Sequence, residues 1–172
     1  MVKAKEIMEA FNKYRGNAII VTAGTAGYKT WPTISNNQSR DAMIGGTMGS
    51  SPATALGLAL SQPDTKVVLF DAEGSLLMNL GVLATIAEQS PQNFYHILLD
   101  NESYATTGGQ PVPNGQQISY DGLAKSAGYK STYNFTDLEE FVINIESILE
   151  EPGPVFISTK IEAEPENLPI DL

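Results

Sequence analysis

The sequence predicts an α/β domain of three layers, with a mostly parallel sheet between two layers of helices. Two observations carry that prediction. Short apolar runs such as Val67–Phe70 and Phe94–Leu99 do not alternate with polar residues, so both faces of each strand should be buried. These runs also take turns along the chain with helical patterns, and such alternation marks a parallel sheet covered on both sides. A length of 172 residues suits one domain, read as residues 1–172, and is too short for two comfortable ones.

The elements follow in order. Val2–Tyr14 has the pattern of an amphipathic helix, with Ile7, Met8 and Phe11 on one face. Ala18–Val21 is a buried strand, and Thr22–Gly27 a Gly-rich loop at its carboxyl end. Tyr28–Asp41 reads as a long irregular loop, which in a compact domain lines a site or a partner surface. Trp31 within it is expected to be partly buried by the loop's own packing. Gly45–Ser50 opens a helix, Ser51–Leu60, whose Ala53, Ala55, Gly57 and Ala59 allow close packing on the sheet. After the strand Val67–Phe70 come a tight turn, Asp71–Ser75, and a helical pattern from Leu76 to about Glu88. Pro91-Gln92-Asn93 breaks it, Phe94–Leu99 is the next strand, and Asp100–Ser103 lies just beyond.

Tyr104–Gln117 is rich in Gly and Pro and reads as a loop covering a site. Asp121–Ala127 is a short helix stopped by Gly128, and Tyr129–Tyr133 a strand. Thr136-Asp137-Leu138-Glu139 has the form of a capping box. The helix it opens runs to about Glu150, with Phe141, Val142, Ile145, Ile148 and Leu149 as its apolar face. Glu151–Pro154 ends it, Val155–Thr159 is the last strand, and residues 162–172 form an acidic, peripheral tail. This makes about five strands. His96, inside a strand, is expected to be structural.

Composition narrows the function. Ten Lys and Arg among twenty Asp and Glu give a net charge of −10, without the basic patch of a nucleic-acid binder, and the same balance disfavours an anionic membrane surface. The absence of cysteine excludes a thiolate nucleophile, a zinc–thiolate site and a disulfide framework. No stretch approaches the apolar length of a membrane span, and no signal core opens the chain, so a cytoplasmic location is expected. The glycines of Thr22–Gly27 lack Walker A spacing, and no G-x-G-x-x-G occurs, which counts against a generic nucleotide-binding module.

The chemistry concentrates where strands end. In an open parallel sheet, ligands bind outside the carboxyl ends of the strands, and both Glu73-Gly74-Ser75 and Asp100-Asn101 fall at such ends. Glu73 and Asn101 carry hard oxygen ligands suited to Mg²⁺, which usually keeps phosphate oxygens and water in its shell. Gly74 permits close approach of a ligand to backbone, and Ser75 stands where a helix begins, a place that favours phosphate. The plainer alternative is that Glu73 is a solvated turn residue and Asn101 a cap.

The run Ala72-Glu73-Gly74, then a helix, a strand and Asp100-Asn101, resembles the cofactor motif of thiamine-diphosphate enzymes, which begins Gly-Asp-Gly and ends in Asn. The likeness extends to Gly46-Thr47-Met48-Gly49, Ala53–Leu60, Leu76–Gly81 and Asp100–Tyr104 with Thr107-Gly108 and Gln110-Pro111. Across roughly Arg15 to Lys160 the chain is similar to the diphosphate-binding half of decarboxylases of the sulfopyruvate (β subunit) and phosphonopyruvate type. One departure stands out. Glu73 replaces the family's Asp and reaches one methylene further, and Ala72 carries a Cβ where the family has Gly.

The resemblance implies a thiamine-diphosphate-binding fold, and as cofactors thiamine diphosphate and Mg²⁺. It implies Glu73, Asn101 and the Ser103 carbonyl as metal ligands. Gly74, Ser75, Gly24 and Thr25 would meet the diphosphate, with Gly46, Met48 and Tyr104 along the rest of the cofactor and Met48 as the wedge behind its bent shape. The activating Glu would lie on a separate pyrimidine-binding subunit, making the enzyme a hetero-oligomer, α2β2 or larger. The substrate would be a short 2-oxoacid with an anionic tail, for which Lys29 and Arg40 are the cations of the long loop. The rivals are a thiamine-dependent carboligase subunit and a non-catalytic partner with a degenerate cofactor site.

Overall fold

The computed structural model describes residues 2–44 and 47–163, without the side chains of Thr25 and Ala26. Six parallel strands form one sheet: β1 (Ile19–Thr22), β2 (Asp41–Met43), β3 (Val67–Ala72), β4 (Phe94–Asp100), β7 (Ser131–Phe135) and β8 (Val155–Lys160), in the order β2-β1-β3-β4-β8-β7. A small antiparallel pair, β5 (Ser103–Tyr104) and β6 (Gln110–Pro111), stands apart from it. The helices are α1 (Ala4–Asn12), α2 (Gly24–Lys29), α3 (Trp31–Ile34), α4 (Ser51–Ser61), α5 (Glu73–Leu77), α6 (Val82–Gln89), α7 (Tyr120–Ala127) and α8 (Leu138–Ile148).

Successive residues of a strand point to opposite faces, so each central strand supplies two cores. Val68, Phe70, Tyr95, Ile97, Leu99, Val155 and Ile157 join Ile7, Met8 and Phe11 of α1 and Phe141, Ile145 and Ile148 of α8. Val67, Leu69, Phe94, Leu98 and Phe156 join Ala55, Leu56 and Ala59 of α4, Leu83 and Ile86 of α6, and Tyr120 and Ala124 of α7. The three-layer α/β prediction holds.

Several local expectations are corrected. The Gly-rich loop after β1 is the helix α2, with Gly24 at φ +67°, a left-handed conformation that Gly takes without strain. The segment read as an irregular loop contains α3 and a 3-10 turn (Gln38–Arg40), and at Asp41 it enters the edge strand β2, a sixth strand of the sheet. Buried Arg15 organises it, donating to Ser35 Oγ at 2.9 Å and pairing with Asp41 at 3.0 Å. Trp31 is fully buried in the main core, its ring 6.1 Å from Phe11 and 5.3 Å from Phe70. In α4 it is Ala55 and Ala59 that pack inward; Ala53 and Gly57 face outward. Val142 is exposed on α8, whose N-cap is Asp137 and not a capping-box Thr136: the Asp137 carboxylate accepts from Glu139 N and Glu140 N. The tail lies outside the described residues beyond Ala163.

The pattern read as one helix from Leu76 is two, α5 and α6, interrupted at Met78–Gly81. There the backbone closes shorter, i to i−3 bonds, Met78 N to Ser75 O at 3.1 Å and Asn79 N to Leu76 O at 3.0 Å. Leu76, Val82, Leu83 and Ile86 still share the apolar face, which is why the periodicity looks continuous in the sequence. β3 and β4 run past their apolar cores, taking in Asp71 and Asp100. Buried His96 has a structural place, with Nε2 3.2 Å from Asp71 Oδ2 and Nδ1 3.3 Å from Tyr129 Oη. Among the described residues, no helix is long and apolar enough to cross a membrane.

Candidate cofactor site

The chain turns back at β1, placing β2 on one side of it and β3 on the other, and such a switch point opens a crevice at the carboxyl ends. A cavity of about 260 Å³ lies there. Its lining comes from the segments after successive strands: Gly24 and Tyr28 after β1, Met48 after β2, Gly74 and Ser75 after β3, Asn101 and Tyr104 after β4, and Ile161 after β8. The wall is mostly apolar, with a few polar groups, the usual make-up of a small-molecule site.

Glu73 is the first residue of α5 and is buried, contrary to the solvated-turn alternative. Neighbouring β3 and β4 are in register at Ala72 and Leu99, so Glu73 faces the turn that leaves β4. Its Oε1 accepts from Ser103 N at 3.0 Å and its Oε2 from Asn101 N at 3.3 Å. Asn101 Oδ1 accepts from the same Ser103 N–H at 2.9 Å, a local side-chain turn that bends the chain. Glu102, at φ +57°, completes the bend. Two hard oxygen ligands, one following β3 and one following β4, thus accept from one N–H. Burial, then the charge of Asp100, push the Glu73 carboxyl up to about 7 against the backbone N–H groups of Glu73, Asn101 and Ser103. A divalent cation would supply the positive charge that this carboxylate lacks. The donor set fits Mg²⁺.

The turn is braced from its other side. Lys160 Nζ lies 3.0 Å from Asp100 Oδ2 and also pairs with Glu102, and Asp100 Oδ1 accepts from Glu102 N at 3.2 Å. Burial raises the Asp100 carboxyl above its ordinary range, and Lys160 offsets part of that rise.

The other expected residues have these places. A Cβ on Gly74 would lie 2.7 Å from the Tyr104 ring, so this glycine makes room for Tyr104 over the start of α5. Ser75 Oγ accepts from Gly49 N at 2.9 Å, which ties it to the Met48 loop. A Cβ on Gly24 would lie 3.2 Å from the Ala72 methyl, so Gly24 accommodates the carbon by which Ala72 exceeds glycine. Met48 lines the cavity and is 40% exposed, which rules out a role as core filler. Thr25 lies in α2, and Gly46 lies outside the described residues. Lys29 and Arg40 are not among the cavity-lining residues.

Tyr28, Asp71, Thr106 and Thr107 also line the cavity, beyond the site residues that the sequence predicts. Asp71 had a signal, an acid directly after an apolar strand core. Tyr28 had none, because its place depends on α2 and on its hydroxyl's bond to Ile44 O.

Residues 22–159 match the family model described as thiamine pyrophosphate enzyme, C-terminal TPP binding domain. The chain is 41% identical over 125 residues to the sulfopyruvate decarboxylase subunit beta of Methanothermobacter thermautotrophicus, covering 73% of this chain and 64% of that one. It is 31% identical over 147 residues to the phosphonopyruvate decarboxylase of Streptomyces viridochromogenes, covering 86% of this chain and 36% of that one. The chain therefore spans less than two thirds of the length of these relatives. A solved Mycobacterium smegmatis protein, provisionally described as a thiamin diphosphate-dependent enzyme, superposes with a TM-score of 0.80 at 17% identity, over 95% of this chain and 32% of that one, and this shows the shared fold. Sheet order, the site at the strand ends and these matches agree: the chain belongs to the C-terminal, cofactor-binding domain family of thiamine pyrophosphate enzymes.

Proposed function

We propose that the chain is the diphosphate-binding subunit of a thiamine-diphosphate-dependent decarboxylase acting on a short, anionic 2-oxoacid of the sulfopyruvate or phosphonopyruvate type. The observation that carries this reading is the convergence of Glu73 and Asn101 oxygens on Ser103 N–H, just past the carboxyl ends of β3 and β4 and beside the cavity that Asn101 and Ser103 line. Glu73 and Asn101, with the Ser103 carbonyl, would hold Mg²⁺. Gly24, Thr25, Gly74 and Ser75 would face the diphosphate, and Gly46, Met48 and Tyr104 the remainder of the cofactor. When bound, thiamine diphosphate supplies the electron sink that lets a 2-oxoacid lose CO₂ and leave as an aldehyde.

This chain's part is to bind and orient. Glu73 fixes the metal end, Tyr104 covers α5, and the apolar wall excludes water from the reacting end. A pyrimidine-binding subunit would supply the activating Glu and close the cavity, in an assembly of α2β2 or larger. We assign the counter-charge for the substrate's tail to that partner side, since Lys29 and Arg40 stand outside the cavity lining.

The test is to purify the tagged chain from its source, identify copurifying chains, assay bound thiamine diphosphate, and follow CO₂ release from sulfopyruvate, phosphonopyruvate and pyruvate. A second subunit, bound cofactor and turnover of an anionic 2-oxoacid are expected. A chain returning alone and without cofactor sinks the proposal and favours a non-catalytic role.

A further inference from the structure

We infer that Asn79 is a positioning residue for Met48, acting together with Ser75 through the two peptide groups of Gly49. The inference rests on the proposed cofactor role of Met48 and adds to it a residue that does not line the cavity.

Gly49 N–H donates to Ser75 Oγ at 2.9 Å, and Asn79 Nδ2 donates to Gly49 O at 3.0 Å. These bonds hold the peptide planes on either side of one Cα. The first plane is shared with Met48, so its orientation sets the direction in which the Met48 side chain leaves the backbone. Met48 is 40% exposed at the cavity, so packing alone holds it less firmly than a core side chain.

The contact depends on features that otherwise look unrelated. Gly49 adopts φ +85°, and a Cβ there would sit 3.2 Å from Asn79 Cβ and 3.4 Å from Met78 Cβ, so only glycine allows the approach. The interruption between α5 and α6 is where Asn79 sits, outside either helix. Ser75 belongs to the same five-residue helix as Glu73. One short segment therefore carries Glu73 at its start, Ser75 within it and Asn79 just beyond it, and ties the metal-binding end of the site to the Met48 end.

The test uses the complex of the full chain with its copurifying subunit. Asn79→Asp keeps the shape and removes the donor; Asn79→Gln keeps a donor on a longer arm. Asn79 is exposed, so both should fold. Hydrogen exchange over residues 47–50 reads the clamp, and titration with thiamine diphosphate and Mg²⁺, followed by the cofactor's circular dichroism, reads its consequence. Asn79→Asp should speed exchange about tenfold and weaken cofactor binding about as much, the worth of one hydrogen bond. Asn79→Gln should restore part of both. In a Met48→Ala background, Asn79→Asp should change cofactor affinity less than about twofold, because the residue through which it acts is gone. Unchanged exchange in Asn79→Asp, or an undiminished affinity loss in the Met48→Ala background, overturns the inference. A native complex that binds no thiamine diphosphate overturns the functional reading, and with it any positioning role toward that cofactor.

Discussion

On the face covered by α1, α3 and α8, β3 and β4 present Val68, Phe70, Tyr95 and Ile97 to a core that includes Phe11, Trp31 and Phe141. On the opposite face, the same strands present Leu69, Asp71 and His96, and the carboxylate, imidazole and Tyr129 hydroxyl form a buried hydrogen-bonded row. Burial, then the negative charge of Asp71, hold the Tyr129 hydroxyl well above its ordinary range, so it remains a neutral donor. The difference separates two jobs. The aromatic face supplies stability by apolar burial and touches the crevice through Leu99 and Ile161 at its edge. The polar face supports strand ends that must carry charged groups, and its interactions are directional, so single atoms there have consequences.

The contrast is breakable in order of expected size. Trp31→Ala should cost about 3–5 kcal/mol of stability in urea unfolding, while the protein that remains folded keeps its affinity for thiamine diphosphate and Mg²⁺. A drop in affinity matching the loss of stability would show that the two faces are not separable.

His96→Leu should cost about 3 kcal/mol by leaving Asp71 buried without its partner, and adding Asp71→Leu should recover part of the loss. A purely additive double variant would mean that the pair is not coupled.

Gly74→Ala should destabilise by about 1–3 kcal/mol, because the new methyl meets the Tyr104 ring at 2.7 Å, and Tyr104→Ala should relieve it. Equal stability of Gly74→Ala and the native chain would remove Tyr104 as the reason for that glycine.

Glu73→Asp should leave stability within about 1 kcal/mol and weaken Mg²⁺-dependent cofactor binding by at least about tenfold, since the shorter arm cannot span both Asn101 N and Ser103 N. Sharply tighter binding would instead mark Glu73 as a compromised ligand. The smallest effect belongs to the rim of the fold: Asp137→Ala, which removes the α8 N-cap, should cost about 1 kcal/mol in thermal or urea unfolding and change nothing at the site.

Much of this molecule was legible along the chain. The apolar runs of β3, β4 and β8 identify buried strands, because a strand covered on both faces has no polar side to show. Glu73 and Asn101 stand out because each directly follows such a strand, and the rules of open sheets say what the ends of strands are for. Other features depended on contacts between residues distant in sequence. β2 forms because β1 accepts it and Arg15 holds Asp41, so its own three residues carry little signal. The break after α5 leaves the apolar periodicity intact, because the same side chains still reach one core. Gly74 and Gly49 look like loop punctuation until the Tyr104 ring and Asn79 are placed beside them. Periodicity records how deeply a residue is buried, and so it determined the layers and the strand ends. Which side chains meet across the crevice depends on packing and hydrogen bonds between remote segments, and that only the tertiary structure decided.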